Sequence, residues 1–302
     1  MRRIKVLNST NIHTPVNTNA VAELNPTTTL KSVFIKNFGI FTNETLEFSS
    51  GINVFIGRNG CGKSSLLRLL YTLVKECGDP LENGNVLEAK KLDNRLSSLL
   101  AKIFRPDGGH LGQLVQRDKG NNFAEVSATF TDGNKCNFTL GSLGEIIGAN
   151  SNVGKLQEAV YLYSKKVRSL CEKFDETFHD TCLTGFLFLD ETEKNLDPKT
   201  VVQMSENLLR LANQGVQVFV VTHDYLLTTR LSLASEYHDV IPEDQRCSVK
   251  FFGLDLLDSD DKRVSVSSGS KLSDLQNNHI LDEYAALYDY EGMLFQKSSA
   301  RK

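Results

Sequence analysis

The stretch Gly57-Arg58-Asn59-Gly60-Cys61-Gly62-Lys63-Ser64 constrains this chain more than any other, because it fits GxxxxGK[ST] at every fixed position. Ile52 to Ile56 before it reads as a buried strand, and Ser65 to Tyr71 after it reads as a helix. Strand, loop, helix is the order that a phosphate cradle requires. Glycines at 57, 60 and 62 let the backbone turn its N–H groups towards anionic oxygens, and the N-terminus of the following helix adds a favourable field. Arg58, Asn59, Cys61 and Ser65 complete the expected set around the phosphates of a nucleoside triphosphate. Lys63 is expected to reach the β- and γ-phosphates, and the Ser64 hydroxyl to ligate magnesium. The competing reading, a chance glycine-rich turn, leaves the flanking strand and helix unexplained.

Two further sites follow apolar strands. Leu187-Phe188-Leu189 runs into Asp190-Glu191, which puts two acids at the C-terminal end of a buried strand, where α/β sheets present their ligands. Asp190 is expected to support magnesium directly or through water, and Glu191 to orient or deprotonate the attacking water. Val216 to Val221 runs likewise into Thr222-His223-Asp224, so His223 would emerge on the same edge as a sensor of the γ-phosphate. A lone histidine is more often a satisfied core residue. Here the end-of-strand placement, repeated a third time, favours the sensor.

Composition narrows the partners. A net charge of -3 and a pI near 6.1 argue against a general nucleic-acid coat and give DNA binding no support. Cysteines 61, 77, 136, 171, 182 and 247 form no CxxC pair, so free thiols in a reducing cytoplasm are the simpler expectation, with no zinc site. No run of 18 apolar residues and no signal-peptide core is present, so a soluble cytoplasmic protein without membrane contact is expected. A guanine-reading NKxD is absent, and a small-molecule kinase has less need of the Asp190-Glu191 pair.

Along the chain, residues 1–28 are rich in Asn and Thr and read as a poorly ordered tail. Residues 29–302 read as one ATPase domain. Short strands around Val33, Phe41 and Leu46 precede the phosphate loop. Leu92, Leu96, Leu99, Leu100 and Ile103 give Val86 to Ile103 a helical period, ended by Pro106. Region 104–184 reads as an inserted hairpin and helical segment: Phe123 to Phe130 and Cys136 to Leu140 flank Asp132-Gly133-Asn134, and 155–179 gives a charged helical pattern anchored by Leu156, Val160 and Leu162. Gly185 to Leu189, a helix over 199–212 and Val216 to Val221 form a βαβ crossover. Strands at Ser248 to Phe252 and Val264 to Val266 and a final helix over 271–296 complete the chain. The expected fold class is α/β, a P-loop fold with a mainly parallel core, an antiparallel flank and a reduced helical subdomain.

Asn53 to Ser64, Leu189 to Pro198 and Thr222-His223-Asp224 together resemble the ABC-type ATPase heads of the RecF, Rad50 and SMC group. More narrowly, Gly215 to Tyr225 and the tail Ile280 to Tyr288 are similar to bacterial stand-alone ATPases of antiphage systems such as the PtuA proteins of Septu. The resemblance implies a Walker A loop at Gly57 to Ser64, a Walker B acid at Asp190, a catalytic glutamate at Glu191, a D-loop at Asn195 to Pro198 and a switch histidine at His223. It also implies ATP and magnesium as cofactors, a nucleotide-dependent homodimer and an effector partner such as a nuclease.

The sequence departs from that pattern in the signature loop. The nearest matches are Ser142-Leu143-Gly144-Glu145 and Asn152-Val153-Gly154, both of which read equally well as ordinary glycine-bearing loops, and Gln113 and Gln116 are the candidates for the Q-loop glutamine. Nucleotide binding is therefore better supported than efficient dimer-driven hydrolysis. A nucleotide-gated scaffold with negligible turnover and a RecF-like DNA-repair ATPase are the alternatives to an ATPase that controls an effector in phage defence.

Overall fold

The computed structural model describes residues 28–77, 86–116, 122–153, 156, 158–163, 185–257, 263–276 and 278–299. The expected tail lies outside them apart from Thr28, as do residues 164–179 of the expected charged helix. Two sheets organise the described residues. The first is antiparallel, in the order β2-β1-β4-β5-β6, built from β1 (Leu30–Phe38), β2 (Phe41–Glu47), β4 (Phe123–Phe130), β5 (Lys135–Gly141) and β6 (Ile146–Ser151). The second has the order β11-β10-β3-β9-β8-β7, where β3 is Ile52–Gly57, β7 Glu158–Tyr163, β8 Gly185–Asp190, β9 Gln217–Val221, β10 Val249–Leu256 and β11 Val264–Gly269. Its strands are parallel except for β11, which pairs antiparallel with β10.

The strands of the parallel core are continuous apolar runs because both faces are covered. All of β3 and β9 is buried, and β8 is buried up to Leu189. Alternate residues feed two cores: Phe55 joins one with the antiparallel sheet, α1 (Lys63–Cys77) and α2 (Val86–Phe104), while Ile52, Val54 and Ile56 join another with α3 (Pro198–Asn213) and α4 (Tyr225–Glu236). Leu66, Leu69, Leu70 and Leu73 of α1 are fully buried, each worth about 1.5–3 kcal/mol relative to exposure, which fixes the helix that begins at the phosphate loop. Leu92, Leu96 and Leu100 bury one face of α2 at the expected spacing, and the chain leaves the helix through Arg105 and Pro106.

The two sheets are joined by the fully buried Gln217. Its amide donates to the carbonyls of Leu30 (2.9 Å) and Ser49 (2.7 Å), and its carbonyl accepts from Leu30 N at 2.8 Å. Buried amides must be satisfied in this way, so the side chain fixes where β1 meets the end of β9.

Several expectations are corrected. Glu158–Tyr163, expected as helix, is the strand β7, paired in parallel with β8 from Glu158 opposite Gly185 to Tyr163 opposite Asp190. The apolar run from Ala159 to Leu162 gains more by covering the edge of the parallel sheet than by a local helix period. The hairpin of β4 and β5 acquires a third strand, β6, and all three extend the sheet of β1. The last helix, α5 (His279–Ser299), starts later than expected, after a 3-10 turn at Leu272–Asp274. Cys61 and Cys247 are free, but Cys136, buried on β5, is disulfide-bonded, against the expectation of free thiols: chain spacing does not reveal which cysteines meet in space. Among the described residues no helix is long and apolar enough to cross a membrane.

Candidate functional site

Three loops leave the C-terminal ends of adjacent parallel strands, after Gly57, Asp190 and Val221, and converge on one edge. The phosphate loop is built for close approach. Gly57 has φ +147°, and a Cβ there would lie 2.1 Å from the backbone oxygen of Leu254 on β10. Gly62, at φ +83°, packs under Ile40, whose Cδ1 would be 2.7 Å from an added Cβ. Lys63 is only 5% exposed, and its ammonium donates to the carbonyls of Gly57 and Arg58, each at 2.8 Å. Burial lowers its pKa, against the opposing pull of Cys61 and Glu191. The Cys61 thiol is fully buried and pushed up by desolvation, which makes it packing for the loop rather than a nucleophile. Arg58 and Asn59 are exposed, and Ser65 is half-buried on the first turn of α1.

Ser64 and Asp190 meet across the strand ends, with Ser64 Oγ donating to Asp190 Oδ1 at 2.7 Å. These hard oxygens are the pair best suited to a magnesium ion on this edge. The other carboxylate oxygen, Oδ2, accepts from the Tyr161 hydroxyl at 2.8 Å. Desolvation first, and then the Asp190 carboxylate, raise the Tyr161 pKa far above its ordinary value, so the phenol keeps its proton and stays a donor. A cavity of about 470 Å3, lined by Arg68, Tyr71, Phe104, Arg105 and Tyr161, opens beside Asp190.

Glu191 adopts a left-handed backbone, φ 48°, rare for a glutamate, and its N–H donates to Val221 O at 2.9 Å. Its carboxylate pairs with Lys194 through Oε2 and lies 3.2 Å from His223 Nε2 through Oε1. Burial pushes its pKa up, but Lys194, His223 and Lys63 outweigh that and hold it below the usual carboxylate range. His223 is lowered by burial and by the charge of Lys63, so it is a neutral imidazole at pH 7. The expected acid and sensor are thus neighbours.

The expected D-loop has a local structural task as well. Asp197 caps α3, accepting from the backbone of Lys199 (3.0 Å) and Thr200 (3.1 Å), with Pro198 at the first helical position. Asp224 caps α4 in the same way. Ser142 to Glu145 forms the exposed turn between β5 and β6 and opens no helix, so it lacks the helix N-terminus that a signature loop needs; Gly154 lies outside the described residues. Gln113 bonds both backbone groups of Asp107, and the N–H of Gln116 donates to Asn37 O at the end of β1, just before Ile40, which packs against Gly62 of the phosphate loop. Sequence reasoning missed Tyr161, Lys194 and Glu193. Glu193 showed in the sequence only as the third acid of Asp190-Glu191-Thr192-Glu193, with nothing to mark its place; Tyr161 was hidden inside an expected helix.

Residues 29–105 match the family described as AAA ATPase domain. A stretch of 41 residues is 49% identical to the DNA double-strand break repair Rad50 ATPase of Archaeoglobus fulgidus, covering 14% of this chain and 5% of that protein. Another of 59 residues is 37% identical to the DNA replication and repair protein RecF of Bacteroides fragilis, covering 19% of this chain and 16% of that one. The chain spans 37% or less of the length of the curated relatives it matches. Among solved structures, the SMC head bound to the C-winged helix domain of ScpA superposes over 80% of this chain and 97% of its own, with 12% identity and a TM-score of 0.51, which shows a shared fold. The fold is thus that of an SMC head, with a phosphate-loop motif meeting an acid pair on one sheet edge, and its first part, residues 29–105, matches the AAA ATPase domain model.

Proposed function

We propose that the chain binds ATP with magnesium at Gly57 to Ser65 and hydrolyses it within a nucleotide-dependent homodimer, and that its nucleotide state controls an effector partner, such as a nuclease, in phage defence. The observation that carries the chemistry is the meeting of Ser64 with Asp190 at 2.7 Å, next to Glu191 and His223 at 3.2 Å. Magnesium held by Ser64 and Asp190 would neutralise charge on the phosphate oxygens. Lys63 exchanges the Gly57 and Arg58 carbonyls for those oxygens at no cost in burial. Glu191, ionised at neutral pH, orients the attacking water and accepts its proton, while the neutral His223 offers a hydrogen bond to the terminal phosphate. The role in defence rests on the resemblance of Gly215 to Tyr225 and Ile280 to Tyr288 to PtuA ATPases. Control of a partner protein is in keeping with the SMC head that binds a domain of ScpA.

The test is ATP binding and turnover measured against protein concentration. Lys63→Ala is expected to abolish binding; Glu191→Gln is expected to spare binding and slow turnover by about 100-fold or more. Specific activity that rises with concentration supports the homodimer. A second reading, the nucleotide-gated scaffold, is favoured by the hairpin position of Ser142 to Glu145, and flat, near-zero turnover with intact binding would select it.

A further inference from the structure

We infer that Tyr161 is a positioning residue for the metal-binding acid: its hydroxyl fixes the carboxylate plane of Asp190 so that Oδ1 faces Ser64 and magnesium. This rests on the nucleotide reading above and adds to it a residue that no phosphate-loop motif contains.

The register of the sheet explains the contact. Tyr161 lies opposite Phe188, two residues before Asp190, so the phenol and the carboxylate share one face of the sheet. The Tyr161 ring is held there by Tyr71 of α1, with ring centres 5.3 Å apart, and Tyr71 in turn packs edge-on against Phe188 at 5.6 Å. Arg68, one turn before Tyr71, lines the same cavity as Tyr161 and Asp190. The donor is therefore fixed before any ligand arrives.

Asp190 needs such a donor. Rotation of a carboxylate about its last torsion is broad, so one hydrogen bond from Ser64 to Oδ1 does not define its plane. The bond from Tyr161 to Oδ2 does, and it survives when Ser64 turns its hydroxyl to a metal. Ligating carboxylates are commonly held by outer partners of this kind, whose loss costs about 10- to 100-fold in metal affinity. The strand β7 thus contributes to the magnesium site although it carries no ligand.

The test uses Tyr161→Phe, which keeps the ring packed on Tyr71 and removes only the hydroxyl. Binding of a fluorescent ATP analogue is titrated with magnesium and, separately, without metal, alongside a melting curve of each protein. The inference expects the magnesium concentration for half-maximal binding to rise about 10-fold, with metal-free binding and the melting midpoint unchanged. In an Asp190→Asn background, Tyr161→Phe should add nothing further to the magnesium requirement. An unchanged magnesium titration, or equal losses with and without metal, overturns it. If the unaltered protein shows no magnesium-dependent nucleotide binding, the nucleotide reading itself fails, a result distinct from failure of Tyr161.

Discussion

Glu193 is a buried acid, 6% exposed, held between the loops that follow β8 and β9: Oε1 accepts from the Thr222 hydroxyl at 2.5 Å and from the His223 backbone at 3.4 Å, while Oε2 is buried without a hydrogen-bond partner. Desolvation raises its pKa. In the window from about 4.5 up to that raised value the folded state binds the proton and the unfolded state has lost it, so stability falls as pH rises, by about 1.4 kcal/mol for each unit of elevation. Glu193→Gln keeps the acceptor and removes the titration. Its melting midpoint is therefore expected to gain on the parent's between pH 5 and pH 8, measured by calorimetry; a constant difference would mean that Glu193 titrates as an ordinary carboxylate. The placement of Lys63, Ser64, Asp190 and Glu191 at the ends of adjacent parallel strands was legible in the sequence because motif spacing follows apolar strand runs there. Glu193 was not, since its place under Thr222 and His223 depends on two strands, β8 and β9, lying side by side.

The phosphate loop is the turn between β3 and α1, and its rigidity comes from the neighbouring strand. A methyl group at position 57 would meet backbone, the Leu254 oxygen at 2.1 Å, whereas one at position 60 meets nothing within 4 Å although φ is +84°. Gly60→Ala is thus expected to cost only the backbone strain, about 1–2 kcal/mol in urea denaturation. Gly57→Ala must also part β3 from β10, and is expected to cost more and to abolish ATP binding. Equal losses in the two would show that the contact with Leu254 is unimportant. Strand, loop and helix were readable here because three apolar or glycine-rich patterns follow one another without overlap. At β7 the same reasoning failed: Leu156, Val160 and Leu162 fit a helical face as well as a strand, and only the presence of Gly185–Asp190 alongside decides between them.

The described residues form two cores, one on each side of the parallel sheet, and the Gln217 contacts tie the antiparallel sheet to that frame. The layered α/β class with an antiparallel flank was legible from the strand runs. The order β11-β10-β3-β9-β8-β7 was not, because neighbours in a sheet are chosen by crossovers such as α4, which carries the chain from β9 past β3 to β10. The last helix, α5, exposes Leu287, Tyr288, Leu294 and Phe295, and its Tyr284 stacks on Tyr225 with ring centres 3.9 Å apart. Tyr225 is two residues past His223 and opens α4.

That stack gives the molecule an optical handle. The chain contains no tryptophan, so Tyr284→Trp would install a single indole against the ring that follows the histidine loop. Its emission is expected to shift in wavelength when ATP and magnesium are added, and to stay fixed when Lys63→Ala is combined with it. The last helix would then broadcast the nucleotide state of the histidine loop as a colour change, read in a stopped-flow cell without any label.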